Sequence, residues 1–308
     1  MKRIALILAI ILVISQHTQA GSNGGYAGSF LQLGLGAQSM ALGNTGLAGV
    51  NSYGVFYNPA LAARFEGKMA ALSYSFLSLD RRFNFIGYSM EIPREAGISF
   101  GWINAGVDNI QSFNEIGEIS GNVDHSINAA FFTFGRSFGS RLAAGVTIKI
   151  LWESMAFGGD QYSSSGVGFD FGLLYVLNDH LWLSAAVRDV GSKLKANTAN
   201  LFEHGGTTID YFPRKYHLGV SYRTPLPWLR ALYEAELSDR GAFVNHIGIE
   251  ASHKDLLALR VGLNGTNPTF GAGMGFTFMR FTSRLDYAFI PSVIDEGSSH
   301  VFSWQVAF

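Results

Sequence analysis

Residues 142–150 alternate without a break: Leu142, Ala144, Val146, Ile148 and Ile150 fall on one side, and Ala143, Gly145, Thr147 and Lys149 on the other. A period of two belongs to a strand with two unlike faces. The pattern returns at Val167, Phe169, Phe171, Leu173 and Tyr175, which oppose Gly166, Gly168, Asp170 and Gly172. It returns at Tyr216, Leu218, Val220 and Tyr222 against Lys215, His217, Gly219, Ser221 and Arg223. Phe270, Ala272, Met274, Phe276 and Phe278 repeat it once more, opposed by Gly271, Gly273, Gly275 and Thr277. Beyond residue 20 no stretch holds the 18 or so consecutive apolar residues of a spanning helix, so a helical membrane protein is excluded.

Carried along the chain, this reading predicts strands at Lys68–Leu79, Arg82–Ile92, Gly97–Val107, Ser126–Arg136, Arg141–Glu153, Ser165–Val176 and Leu181–Val190. It continues with Arg214–Thr224, Leu229–Ser238, Phe243–Ser252, Leu256–Gly265, Thr269–Phe278, Phe281–Phe289 and His300–Phe308. That makes fourteen strands, an even number, most near the length a tilted membrane strand needs. Pro93, Pro213, Pro225, Pro227, Pro268 and Pro291 are placed between strands, where no ladder bond is lost. The long connections, Asp108–His125, Ser154–Ser164, Gly191–Pro213 and Ile290–Ser299, all follow odd-numbered strands and so share one end. Outer-membrane barrels sort their loops this way, with short periplasmic turns and longer external loops.

A secreted soluble sandwich also alternates, and it is the main rival. Three features favour a barrel in lipid. The small-residue face carries Gly, Ser and scattered charge rather than a solvated coat of Lys and Glu. Trp102, Trp152, Trp182, Trp228 and Tyr88 recur near strand ends, as interfacial girdles do. Phe302, Trp304, Val306 and Phe308 line one side of the last strand, similar to the signal read by the barrel-assembly machinery. The expected fold is all-β: a 14-stranded antiparallel transmembrane β-barrel, with outer-membrane lipid and that machinery as partners.

At the other end, Lys2 and Arg3 precede an apolar run from Ile4 to Ile14, and Thr18-Gln19-Ala20 offers a cleavage site. Residues 1–20 are therefore expected to be a signal peptide cleaved near Ala20, sending the chain to the outer membrane of a Gram-negative bacterium. The chain contains no Cys, which excludes a disulfide framework and thiolate metal sites. Its net charge of −1, with no basic block, argues against nucleic acid.

Residues 21–67 break the strand pattern, and 68–308 are assigned to the barrel. Asn58 is read as an N-cap with Pro59 at the first helical position. A barrel of this width cannot be filled by its own lining, so its lumen must be wet or plugged. The economical reading makes this segment an N-terminal hatch; a periplasmic tail is the alternative.

The stretch LGLGAQSMALGNTGLAGVNSYGVFYNPALAA resembles the N-terminal signature of the PorV/PorQ family, itself similar to FadL-type fatty-acid transporters. Gly43 in the Gly-Ala-rich part and Asn58, Pro59 and Ala60 match the family's motif, and looser matches run through KYHLGVSYR, LALRVGLN, TFGAGMGF, LDYAF and HVFSWQVAF. The resemblance implies a fourteen-stranded barrel with an N-terminal hatch. It also implies a role in type IX protein secretion, with secretion components or exported proteins as partners.

The inward face is expected to carry Lys149, Asp170, Arg188, His217, Arg223, Glu234, Glu236, His246, Glu250, Arg260, Arg284 and Asp286, mainly as a structural polar network. His246 and Glu250 are too far apart on one strand to chelate, so no metal or other cofactor is expected. Ser221 and His217 lie roughly 13 Å apart at strand rise, and neither a Gly-x-Ser-x-Gly turn nor a phosphate loop occurs, so no catalytic residues are assigned. Two functions remain: binding of protein partners in secretion or surface assembly, and a FadL-like channel for hydrophobic small molecules.

Overall fold

The computed structural model describes residues 26–308 except 115, 158–159, 200–203, 255 and 293–296. The expected signal peptide lies outside the described residues. Barrel strands come in chain order as β1 (Lys68–Phe76), β2 (Arg81–Ile92), β3 (Ala96–Phe113), β4 (Ile119–Phe138), β5 (Leu142–Phe157), β6 (Asp160–Val176) and β7 (Leu181–Val190). After the short β8 (Lys193–Asn197) and β9 (Thr207–Tyr211) follow β10 (Lys215–Arg223), β11 (Leu229–Ser238), β12 (Phe243–His253) and β13 (Leu257–Asn264). The ring ends with β14 (Asn267–Phe278), β15 (Phe281–Ile290) and β16 (Ser299–Ala307).

Fourteen strands close antiparallel, each on its neighbour in sequence, with β7 pairing to β10 and β16 returning to β1. The seam runs from Met69↔Ala307 to Phe76↔His300. The β8–β9 hairpin is not one of the ring strands; it pairs with β6 at Ser164↔Ala196 and Ser165↔Lys195, and its Leu194 is buried.

Side-chain parity sets the two faces. On β5, Leu142, Ile148, Ile150 and Trp152 are exposed, while Ala143, Thr147, Lys149 and Leu151 are buried. Leu142 to Trp152 covers about 26 Å of height at a tilt of roughly 40°, matching the apolar band of a membrane barrel. The exposed face is apolar around the circumference, from Leu72 and Phe100 through Phe171, Leu218 and Leu259 to Phe302. An apolar surface this extensive is stable only against lipid.

Three expectations need correction. The stretches Asp108–His125 and Ser154–Ser164 are largely strand: β3 and β4 stay paired past a bulge between Val107 and Ile110, and β5 with β6 as far as Phe157↔Asp160. The alternation there is broken by the bulge and by polar residues on both sides, since nothing beyond the lipid demands an apolar face. Gly191–Pro213 contains the β8–β9 hairpin. Pro268 lies inside β14, paired with Leu263. It is the strand's second residue, where one missing N–H costs little.

Residues 26–65 pack against the inward side of the strands. A 3-10 turn, Ser29–Gln32, leads to α1 (Ala37–Ala41), α2 (Gly54–Tyr57) and a second 3-10 turn, Pro59–Arg64. Nearly all of this segment is buried. Among the described residues, no helix is long and apolar enough to cross a membrane.

Candidate functional site

The bore has two unlike walls. Strands β2–β5 present Phe83, Phe85, Ile103, Ala105, Ile127, Ala129 and Leu151, packed with Phe30, Leu31, Leu35, Leu47, Tyr53, Phe56 and Tyr57 of the N-terminal segment. Phe212 and Leu194, from the connection between β7 and β10, join this cluster. The opposite wall, β10–β15, carries His217, Glu234, Glu236, His246, Glu250, Arg260 and Asp286, all buried.

The segment bonds to side chains around much of the ring. Ala37 N–H donates to Ser303 Oγ at 2.8 Å, and Gly43 N–H to Thr269 Oγ1 at 3.0 Å. His246 Nδ1 meets the Gly43 carbonyl at 2.9 Å. Gly43 has φ +71°, and a Cβ there would lie 2.3 Å from the Leu263 carbonyl oxygen, so only glycine fits. Glu234 Oε1 accepts from Gly46 N–H at 2.7 Å and Leu47 N–H at 2.8 Å. Tyr53 OH donates to the Leu72 carbonyl at 2.6 Å. Burial raises the pKa of the Tyr53 and Tyr57 hydroxyls above the ordinary phenol value.

Asn58 is fully buried. Its Oδ1 accepts from Ala60 N–H at 3.0 Å, capping the Pro59–Arg64 turn. Its Nδ2 donates to the Leu47 carbonyl at 2.9 Å and to the Leu173 carbonyl of β6 at 3.1 Å. One side chain thereby ties the turn to the segment and to the wall. Pro59 and Ala60 sit against Gly145 of β5, where a Cβ would fall 2.3 Å from the Pro59 carbonyl oxygen.

Twelve inward side chains were singled out from sequence as one polar network, and the structure sorts most of them into three groups. Lys149 is bound by Asp170, at 2.7 Å, and by Asp189. Arg260 bridges Glu250 at 2.6 Å and Asp286 at 2.7 Å, with Arg284 Nε 3.2 Å from Asp286. His217 lies near Glu236 at 3.7 Å, and Glu234 holds the segment instead of an inward cation. Two members depart from the expectation of paired charges. Arg188 stacks 4.2 Å from the Phe56 ring centre, and Arg223, exposed at the end of β10, stacks 5.2 Å from that of Trp182. Each guanidinium lies over an aromatic face, where the ring quadrupole attracts it.

The network read from sequence left out Lys215 and Arg230, which share the inward parity of their strands, and it missed Asp189. Lys215 pairs with Glu236 at 2.7 Å, and Arg230 with Glu250 at 3.1 Å. Strict alternation puts Asp189 outward, next to inward Arg188. A register shift between Phe169 and Phe171, with φ +59° at Asp189, turns it inward, where its N–H donates to Asp170 at 2.7 Å. The one available signal was the cost of a carboxylate on a lipid-facing position. Phe302, Trp304, Val306 and Phe308 all lie on the outward side of β16. Among the described residues no cluster of three His, Asp or Glu could hold a metal ion.

A closed antiparallel ring with an apolar outward face, and with residues 26–65 packed against its inward side, defines a transmembrane β-barrel. No protein-family model matches the sequence, and no curated protein matches it either. Solved structures do. The toluene transporter TbuX of Ralstonia pickettii superposes with a TM-score of 0.65 at 13% identity, over 89% of this chain and 98% of that one. The toluene transporter TodX of Pseudomonas putida gives 0.60 at 15% identity, over 89% and 97%. A FadL homologue of Pseudomonas aeruginosa gives 0.58 at 11%, over 88% and 97%. The fold is thus FadL-like along nearly the whole described chain.

Proposed function

We propose that the protein is an outer-membrane channel for hydrophobic small molecules, with its N-terminal segment acting as a hatch. The observation that carries this reading is the apolar wall inside the bore. A barrel serving only as a scaffold for a plug needs polar anchor points, which β10–β15 supply. The aromatic and aliphatic surface of Phe83, Phe85, Ile103 and Leu151 is instead suited to an apolar solute. Phe30, Tyr53 and Phe56 cover that surface here, so passage requires the segment to yield. The similar barrels TbuX and TodX, described as toluene transporters, support the same reading.

The chain has no cysteine of its own, so a single engineered bridge can test it. Ala37 N lies 2.8 Å from Ser303 Oγ, bringing the two residues within reach of a disulfide. Expressed in a Gram-negative host, the protein is expected to speed toluene uptake into intact cells. The Ala37→Cys/Ser303→Cys variant is expected to lose that gain until a reductant is added. Uptake no faster than in cells lacking the protein removes the channel. Equal uptake with and without the bridge removes the hatch.

A second reading, the secretion role implied by the PorV/PorQ resemblance, has one feature in its favour. The β3–β4 hairpin projects past the lipid band with Phe113, Ile116 and Ile119 exposed, and Ile116 is 78% exposed. Such a tip suits a protein partner. Affinity capture from native membranes that recovers secretion components or exported proteins would support it, and recovery of lipid and assembly factors alone would remove it.

A further inference from the structure

At the end of the bore opposite the long loops lies an open basin of about 530 Å3, bounded by Arg223, Arg230, Arg284, Glu250, Gln38 and Trp228. Three guanidinium groups and a single carboxylate face it. That carboxylate is already shared: Arg230 Nη2 lies 3.1 Å from Glu250, Arg260 Nε 2.6 Å and Arg284 Nη2 3.8 Å. Gln38 Nε2 also donates to it, at 3.2 Å. Arg223 has no carboxylate partner among the described residues and lies only over the Trp182 ring. Arg230 Nε has no acceptor.

At Lys149, with two aspartates, and at Lys215, with Glu236, the cations of the bore do not outnumber the carboxylates that hold them. Here Arg223, Arg230, Arg260 and Arg284 are held against Glu250 and Asp286 alone. Crowding cations in a low-dielectric bore is costly unless an anion offsets them. The planar donor fork of a guanidinium fits a carboxylate or a phosphate with two parallel bonds. Trp228 and Leu229 give the basin an apolar flank beside the arginines.

We infer that this basin binds the oxyanion, carboxylate or phosphate, of a small molecule at the turn end of the barrel, through Arg223, Arg230 and Arg284. The inference rests on the channel reading only for placing the site on a passage; the anion chemistry stands on the arginines.

The test titrates the full chain, in non-ionic detergent, with dodecyl phosphate and separately with inorganic phosphate. Binding is followed by calorimetry and by tryptophan fluorescence. Dodecyl phosphate is expected to saturate the wild-type protein. Its affinity is expected to fall at least about tenfold in Arg223→Gln and further in Arg223→Gln/Arg230→Gln, as loss of charge-assisted bonds implies. Arg223 has no ion pair to lose, so the single variant is expected to keep its heat-modifiable gel migration and remains informative if the double variant does not fold. Equal binding of inorganic phosphate identifies a free anion as sufficient, and binding of the alkyl ester alone identifies an amphiphile head group. Either supports the site. No saturable binding of either probe, or affinity unchanged in Arg223→Gln, overturns it. Toluene uptake measured in the same variant reports on the channel separately, so the two readings fail independently.

Discussion

The Glu234 carboxylate accepts a 2.7 Å hydrogen bond from the backbone N–H of Gly46, 188 residues earlier in the chain, and a second from Leu47. A strand side chain therefore supplies acceptors that a helix or sheet would otherwise give to this irregular stretch. Buried N–H groups must be satisfied somewhere. Glu234→Ala leaves two of them unpaired, at about 2–4 kcal/mol by the usual cost of orphaned buried donors. The variant is expected to unfold at lower denaturant concentration and to expose residues 43–50 to protease before the barrel opens. Unchanged protection of the segment would show that Glu234 does not hold it.

Gly145 makes a different contact, since it leaves room. A methyl group there would meet the Pro59 carbonyl oxygen at 2.3 Å, and backbone on both sides leaves little freedom to retreat. Gly145→Ala is expected to push the Pro59–Arg64 turn off the wall and cost about 1–3 kcal/mol, the range for overpacking. Gly206 has nothing within 4 Å of its Cβ position, so Gly206→Ala is the matched control and is expected to be silent. Chemical denaturation of the two variants side by side decides the point.

What the sequence disclosed follows the same physics. Lipid on one side and a small-residue or polar inward face on the other force a period of two, so the strands with such a face could be read from alternation. Leu181–Val190 and Leu229–Ser238 match their observed bounds. Past the lipid the constraint lapses, which is why the extensions of β3 to β6 read as loops. The interior charges of β10–β15 were legible by parity alone. Asp189 was not, because a bulge reverses parity for one residue. The apolar wall escaped notice for another reason: Phe83, Phe85 and Ile103 occupy inward positions on strands whose outward positions are also apolar. Alternation disappears where both neighbours are greasy.

Lys149 holds two carboxylates, Asp170 and Asp189, at the place where the β6–β7 ladder slips. All three groups are buried. Lys149→Met removes the cation and leaves both carboxylates facing each other without compensation. By the usual cost of breaking a buried ion pair it is expected to lose about 3–5 kcal/mol. Adding Asp189→Asn to Lys149→Met removes one stranded charge and is expected to recover part of that loss. With the Asp189→Asn single variant completing the cycle, denaturant midpoints give the coupling, and additive losses would show that the groups do not act as a unit.

Tyr57 OH receives the Leu35 N–H at 2.7 Å and donates to Asn44 Oδ1 at 2.8 Å, with burial raising its pKa. A phenol whose folded pKa exceeds its unfolded value binds more protons in the folded state. Its contribution is therefore complete below the unfolded value, about 10, and declines as pH rises beyond it. The N-terminal segment is expected to stay in place through neutral and mildly alkaline pH and to loosen above about pH 10. Tyr57→Phe removes the hydroxyl at all pH values and is expected to weaken the wild-type alkaline transition. Difference absorbance of tyrosinate, recorded with protease sensitivity of the segment, checks both statements; full ionisation of the wild-type tyrosines in step with free tyrosine would contradict them.

Phe308 sits where the ring closes. Its N–H donates to the Lys68 carbonyl at 2.9 Å, its carbonyl accepts from Lys68 N–H at 3.2 Å, and its ring lies between Tyr88 and Phe281. Phe308→Ser keeps both backbone bonds and removes only an outward, half-exposed ring. The direct stability cost is therefore expected to stay near about 1 kcal/mol, the scale of one aromatic contact. If the outward row Phe302, Trp304, Val306 and Phe308 is what the assembly machinery reads, the assembled fraction in membranes should fall far more than that cost explains. Phe308→Leu, apolar but not aromatic, separates the two effects. Comparing heat-modifiable barrel in membranes with refolding yield of the same variants in detergent tests it, and parallel losses in both would leave the ring a packing role alone.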